Sequence, residues 1–223
     1  MTSFAYSNAD GTGAFQGSAF GSVQVNNNTP TVIQPLDYAQ AHKGTFNLDY
    51  RFGKDDGGPI LEQLGINLLF TFNSGHPYTP ATPQGLGQNS AWQGALSTDT
   101  RQRRPVGPIN SANTPWNYNL DMRIDKTVAL FDKLDVNLYI VVTNVFNTQN
   151  VINVYNVTGN AYDDGFLRTN DGVGLVTNPV YTQRYADLYR SLNLENREHS
   201  LSQLGLDVFG LPRQMRAGVL INF

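Results

Sequence analysis

The sequence predicts an all-β chain, an antiparallel meander of about six long strands that forms a segment of a transmembrane β-barrel with long extracellular loops. Three observations predict it. Apolar and polar residues alternate with period two over stretches of about 9 to 14 residues, longer than the 5 to 6 of a typical soluble strand. Asp and Arg sit in the middle of the polar sides of these stretches, as they do in a wet barrel lumen. Short and long connections alternate between the stretches.

Composition agrees. Charged residues make up 15% of the 223, against roughly 25% in an average soluble domain. The abundance of Gly, Asn, Thr, Tyr and Phe favours strands and turns over long helices. A net charge of -3 without any basic run gives no footprint for nucleic acid. Absence of cysteine removes disulfides, thiolate catalysis and Cys-ligated metals together. No stretch of about 18 apolar residues exists, so no α-helical span is expected. The mean hydropathy of -0.34 remains compatible with a barrel, where only alternate residues meet lipid. Met1 to Tyr6 carry neither a basic segment nor an apolar signal core, so any export signal is expected upstream.

The first strand, near 2–7, rests on Phe4 and Tyr6 alone. In the second, near 44–52, Phe46, Leu48, Tyr50 and Phe52 oppose Thr45, Asn47, Asp49 and Arg51. The third, near 65–73, sets Ile66, Leu68, Phe70 and Phe72 against Asn67, Leu69, Thr71 and Asn73. The fourth, near 117–130, sets Tyr118, Leu120, Met122, Ile124, Val128 and Leu130 against Asn117, Asn119, Asp121, Arg123, Asp125 and Thr127. Lys126 is its one charged residue on the apolar side, placed where its amine can snorkel to a headgroup region. The fifth, near 133–146, opposes Leu134, Val136, Leu138, Ile140 and Val142 to Asp135, Asn137, Tyr139, Val141 and Thr143. The sixth, near 213–223, opposes Met215, Ala217, Val219, Ile221 and Phe223 to Gln214, Arg216, Gly218, Leu220 and Asn222.

Aromatic residues gather at the strand ends, in the manner of interfacial girdles: Phe52, Phe131 and Phe223 at one end, Tyr78, Trp116, Tyr118 and Phe146 at the other. The connections at Gly53 to Leu64 and Phe131-Asp132 are short. Those at Asn8 to Lys43, Ser74 to Trp116 and Asn147 to Pro212 are far longer than a compact domain usually tolerates. Short turns belong on the periplasmic side and long loops outside the cell. Within the last loop, Pro179 to Arg190 reads as a short amphipathic helix.

Five stretches, Gln34 to Gly53, Gly65 to Pro80, Thr114 to Lys126, Leu134 to Asn150 and Pro212 to Phe223, cover nearly every strand. Together, and in this order, they resemble the C-terminal barrel of TonB-dependent outer-membrane receptors, in particular the Oar-like group. Asn144 to Asn147, reading NVFN, is similar to the family's motif before a long outer loop. The resemblance implies a C-terminal fragment spanning 1–223, located in the outer membrane. Phe223 would be the terminal aromatic read by the barrel assembly machinery. Such barrels have about twenty-two strands around a plug. Six strands and no plug domain are present here, and Ala39 and Ala41 stand where an acidic residue and an arginine are expected. The implied partners are outer-membrane lipid, the assembly machinery, the missing N-terminal strands and plug, and the TonB complex acting through that plug. Six strands alone leave two unpaired edges that lipid cannot satisfy, so the isolated chain is expected to aggregate.

No cofactor or metal site is expected, and the residues do not compose an enzyme. His42, His76 and His199 have no second ligand-type residue at metal spacing. Ser74-Gly75 and Gly85-Leu86-Gly87 lack the strand-to-helix context of catalytic or phosphate-binding turns. The candidate lumen-facing residues are Asp49, Arg51, Asp121, Arg123, Asp125, Asp135 and Arg216. They read either as a wall for a solute or plug, or as mutual pairs across adjacent strands. Arg101, Arg103 and Arg104 in the second long loop are candidates for an anionic ligand or lipopolysaccharide phosphates. The leading expectation is therefore part of the wall and outer loops of an active-uptake receptor for a substrate too large for porins. Siderophore, glycan, peptide and cobalamin all remain open. The alternatives are a soluble β-sandwich that binds carbohydrate, which would bury Leu134, Leu138 and Val142 against a second sheet, and a porin-like channel.

Overall fold

A computed structural model describes residues 1–12, 32–82, 104–131, 134–195 and 208–222. In chain order the strands are β1 (Thr2–Tyr6), β2 (Asp10–Gly11), β3 (Gln34–Pro35), β4 (His42–Arg51), β5 (Leu64–Asn73), β6 (Pro77–Tyr78), β7 (Ala81–Thr82), β8 (Arg104–Pro105), β9 (Ala112–Asn113), β10 (Asn117–Phe131), β11 (Leu134–Thr143) and β12 (Gln214–Asn222). The α-helices are α1 (Gly58–Leu61), α2 (Asn170–Thr177) and α3 (Thr182–Tyr189). The chain is thus mostly β.

Six strands form one antiparallel sheet in the order β1-β4-β5-β10-β11-β12, so every long strand pairs with its neighbours in sequence. Apart from a register shift between Ala129 and Phe131, register keeps parity intact across the sheet. Phe46 faces Phe70, Phe70 faces Leu120, Ile124 faces Ile140, and Ile140 faces Ala217. A one-residue slip would exchange the faces, so the alternation itself specifies the pairing. The other strands pair only as two-stranded ribbons, β2 with β3, β6 with β9 and β7 with β8.

No described residue covers the apolar face. Leu138 keeps 48% of its surface and Ile221 56%, and Phe46, Leu48, Tyr50, Ile140 and Val219 are exposed beside them. Val142, at the loop end of β11, is the one buried apolar residue of the long strands among those described. The apolar core lies elsewhere. Val151, Val154, Tyr155, Ala161, Val208 and Phe209 pack together in the third long connection, with Tyr78, Val157 and Leu194 against them.

All three long connections leave the same end of the sheet, and the two short ones close the other. β4 and β5 are joined through α1, with Asp55, Gly57, Gly58 and Gln63 at positive φ. α3 lies inside the segment expected to be helical, burying Ala186 and Tyr189. α2 has no counterpart in the periodicity; it starts at Thr169, whose hydroxyl accepts from the Gly172 N–H at 3.2 Å, a side-chain cap. β11 stops at Thr143 rather than at 146, because Asn144 (φ 53) and Asn147 (φ 52) take left-handed backbone and turn the chain.

Candidate functional site

The polar face of the sheet and the loop layer above it carry the chemistry-bearing residues. Parity places Arg51, Arg123 and Asp125 on one face, and the structure brings them together. Arg51 Nη2 lies 2.8 Å from Asp125 Oδ2 and donates to Oδ1 at 3.1 Å. Arg123 Nε lies 3.6 Å from Asp125 Oδ1, and Asn137 Nδ2 donates to Oδ2 at 3.2 Å. The carboxylate is buried, whereas about half of each guanidinium group's side chain is exposed.

The pairing skips a strand. Arg51 on β4 and Asp125 on β10 both oppose Gly65 on β5. A Cβ at Gly65 would stand 2.7 Å from Arg51 Nη2 and 2.9 Å from Asp125 Oδ1, so only glycine leaves the passage clear. A second glycine has a matching role. Gly218 opposes Tyr139, whose ring crosses where a Cβ would lie, and the Arg123 guanidinium sits 5.2 Å from that ring's centroid, a cation–π contact.

The remaining polar-face candidates separate. Asp49 accepts from Asn67 Nδ2, which also donates to Asn47. Asp121 accepts from Asn119 at 2.8 Å and from the Asn144 N–H at 2.9 Å, which ties it to the loop layer instead of to the arginines. Asp135 and Arg216 are exposed, and no ion pair joins either to another described residue. Arg101, Arg103 and Phe223 lie outside the described residues, as does His199. Arg104 opens β8, paired with Thr82. No cluster of three His, Asp or Glu able to hold a metal occurs among the described residues.

Asparagines hold the loop layer; the NVFN stretch was legible as a motif, but Asn110 and Asn150 were not. Asn144 is buried and fully used: its amide donates to the carbonyls of Thr148 (3.0 Å) and Leu211 (3.2 Å) and accepts from the Thr148 N–H (2.9 Å). Asn147 Oδ1 accepts from the Arg213 N–H at 2.9 Å. The NVFN turn therefore clamps both ends of the third loop to β10 and the approach to β12. Asn150 pairs with Tyr118 as a strand neighbour would, accepting its N–H at 3.0 Å and donating to its carbonyl at 2.8 Å. Asn110, at φ 57, joins the second loop to the first by donating to the Pro35 carbonyl at 2.7 Å. The tendency of Asn toward left-handed backbone is the signal that could have found three of these, Asn110, Asn144 and Asn147.

Burial shifts several titratable groups of the loop layer. Burial pushes the Asp164 carboxyl above its ordinary pKa, against the donated bonds from Tyr189 Oη and the Phe166 N–H. Burial also lifts the Tyr189 phenol, and the charge of Asp164 adds to it. The Tyr189 ring stacks on Phe166 with centroids 4.6 Å apart. At His76, burial lowers the imidazole pKa, opposed by the charge of Asp37 and a hydrogen bond with Asn153.

At the loop end of the apolar face, His42 stacks with Phe4 and Trp116 at centroid distances of 6.0 and 5.5 Å and meets the tilted ring of Tyr6 at 5.1 Å. Trp116 continues to Phe72 and Tyr118. Trp116 and Tyr118 thus belong to one row of aromatic rings at the loop end, joined by a histidine that alternation alone left unassigned. Tyr78 does not belong to it. It turns instead into the loop core, where its hydroxyl fills the space beside Gly159. No family model matches the chain, and neither does any curated protein or solved structure with which it was compared.

Proposed function

We propose that the chain forms part of the wall and outer loops of a TonB-dependent outer-membrane receptor, which takes up a substrate too large for porins. The observation that carries this reading is the bare apolar face: about half of Leu138 and more than half of Ile221 have no protein against them, while the opposite face builds hydrogen-bonded ion pairs. In water that arrangement would leave a large apolar patch exposed. In a bilayer it is the ordinary alternation of a barrel wall, lipid on one side and a wet lumen on the other.

Further support comes from the loop layer, which has its own core at one end of the sheet. The aromatic band from Phe4 to Tyr118 lies just below it, where ring systems anchor at a headgroup boundary. A soluble β-sandwich would cover Leu138 with a second sheet, and Leu138 is uncovered. β1 and β12 stand at the sheet edges, where further strands would complete a wall. Energy would reach the receptor through a plug coupled to the TonB complex, and the wall residues described above would face that plug or the solute.

Single cysteines along β11, in the protein as its own cells make it, test this reading; these 223 residues contain none to interfere. Positions 136, 138 and 140 are expected to react with a membrane-partitioned reagent, and 135, 137 and 139 with a water-soluble one. Equal reactivity of both sets toward the water-soluble reagent would remove the membrane reading.

A further inference from the structure

A groove of about 430 Å³ opens on the apolar face across β10, β11 and β12. Its walls include Ile124, Lys126, Leu138, Ile140, Ala217 and Val219. Register arranges these as two adjoining rows, Lys126 with Leu138 and Val219, and Ile124 with Ile140 and Ala217. Ala217 is the smallest of the six, so the larger residues around it stand above its methyl and leave a trough. Five of these six side chains are hydrocarbon and one ends in an ammonium; Tyr139 and Gly218, which alternate with them along β11 and β12, complete the lining.

Among the described residues that ammonium meets no opposite charge. Lys126 Nζ donates to the Pro59 carbonyl at 3.1 Å and to the Glu62 carbonyl, both neutral. Glu62 directs its carboxylate to the Asp55 N–H instead. No carboxylate pairs with Lys126 among the described residues. An ammonium has three donors, and two are used. Lys126 opposes Leu64, the first residue of β5, which puts its charge at the level where the sheet meets the short β4–β5 connection.

We infer that this groove binds an anionic phospholipid of the phosphatidylglycerol type, with an acyl chain in the trough over Ala217 and the phosphate on Lys126. The inference rests on the membrane reading above and adds a lipid preference to it. Charge complementarity selects the occupant: hydrocarbon alone would suit any lipid tail, whereas an unneutralised cation beside hydrocarbon suits a tail carrying a net negative head.

The test uses the protein extracted from its own cells and placed in phosphatidylcholine vesicles with a minor fraction of phosphatidylglycerol. Spin-labelled lipids of each type report how much is motionally restricted by the protein. Restriction is expected to favour phosphatidylglycerol about fivefold, the worth of one basic residue near an anionic surface. Lys126→Met is expected to bring the ratio to about one, Lys126→Arg to retain it, and Ala217→Leu to release the restricted chain by filling the trough. Excess inorganic phosphate is expected to leave the preference intact. A preference that survives Lys126→Met, or capture of a polypeptide by a photo-crosslinker at position 219 in native membranes, would overturn the site. Protein that enters vesicles without any lipid preference removes the lipid site alone; protein that enters no vesicle removes the membrane reading with it.

Discussion

Arg51 and Asp125 are bonded at 2.8 Å although a whole strand lies between them, because Gly65 presents no side chain to the space they share. Three consecutive strands are thereby tied on one face by a contact that backbone pairing alone would not make. The contact keeps a buried carboxylate satisfied, with Asn137 and Arg123 completing its shell.

Gly65→Val is expected to force Arg51 away from Asp125. The cost is about 1 to 3 kcal/mol, most of it from a buried acceptor losing its donors. Arg51→Met should cost about 1 kcal/mol, because half of the arginine side chain is already in solvent. Denaturant midpoints of the folded protein measure both, and a Gly65→Val variant as stable as the parent would show the passage to be dispensable.

Substitution at Asn144 separates backbone from side chain. Asn144→Gly keeps the left-handed turn and loses the bonds to Thr148 and Leu211; Asn144→Ala loses both. Each lost buried bond is worth about 1 kcal/mol, and the strained alanine adds about 1 kcal/mol more. Hydrogen exchange over residues 147–152 and 208–213 is expected to rise for Gly and rise further for Ala.

The Asp164–Tyr189 pair makes the third loop sensitive to pH. Both folded-state pKa values are raised. Each group therefore adds stability that is complete below its unfolded pKa and is lost as pH climbs toward the folded one. For Asp164 the loss begins near pH 4, and for Tyr189 near pH 10. Protease cleavage within 160–190 should accelerate from pH 4 upward until the raised Asp164 value is passed, then again above about pH 10. Tyr189→Phe leaves Asp164 without its phenol donor and should cost about 1 to 3 kcal/mol.

Leucines on opposite faces of neighbouring strands offer an internal comparison. Leu138 is on the apolar face and Leu220 on the polar one, and both are about half exposed. Leu138→Arg is expected to lower stability in the membrane by about 2 to 4 kcal/mol, while Leu220→Arg costs little. Urea unfolding in vesicles measures the difference; equal penalties would contradict a one-sided lipid contact.

Alternation over Phe46 to Tyr50, Ile66 to Phe72 and Leu134 to Val142 was enough to place the long strands, since a two-residue period leaves a pleated strand only one apolar face. The short ribbons β2/β3, β6/β9 and β7/β8 were not legible, because two paired residues carry no period. α2 was invisible for a related reason: Gly172 and Gly174 dilute any helical stripe, and its start depends on a threonine cap.

For the polar-face residues, order along the chain already assigns each side chain to a face, as parity follows from the backbone pleat. Which of them meet depends on how the strands lie against one another. Arg51 reaches Asp125 because register sets Gly65 between them, Asp121 turns to Asn144 because the chain folds back there, and Arg216 stays without an ion-pair partner among the described residues. Register and turn geometry are properties of strands brought side by side, so neither is written in any one strand's order of residues.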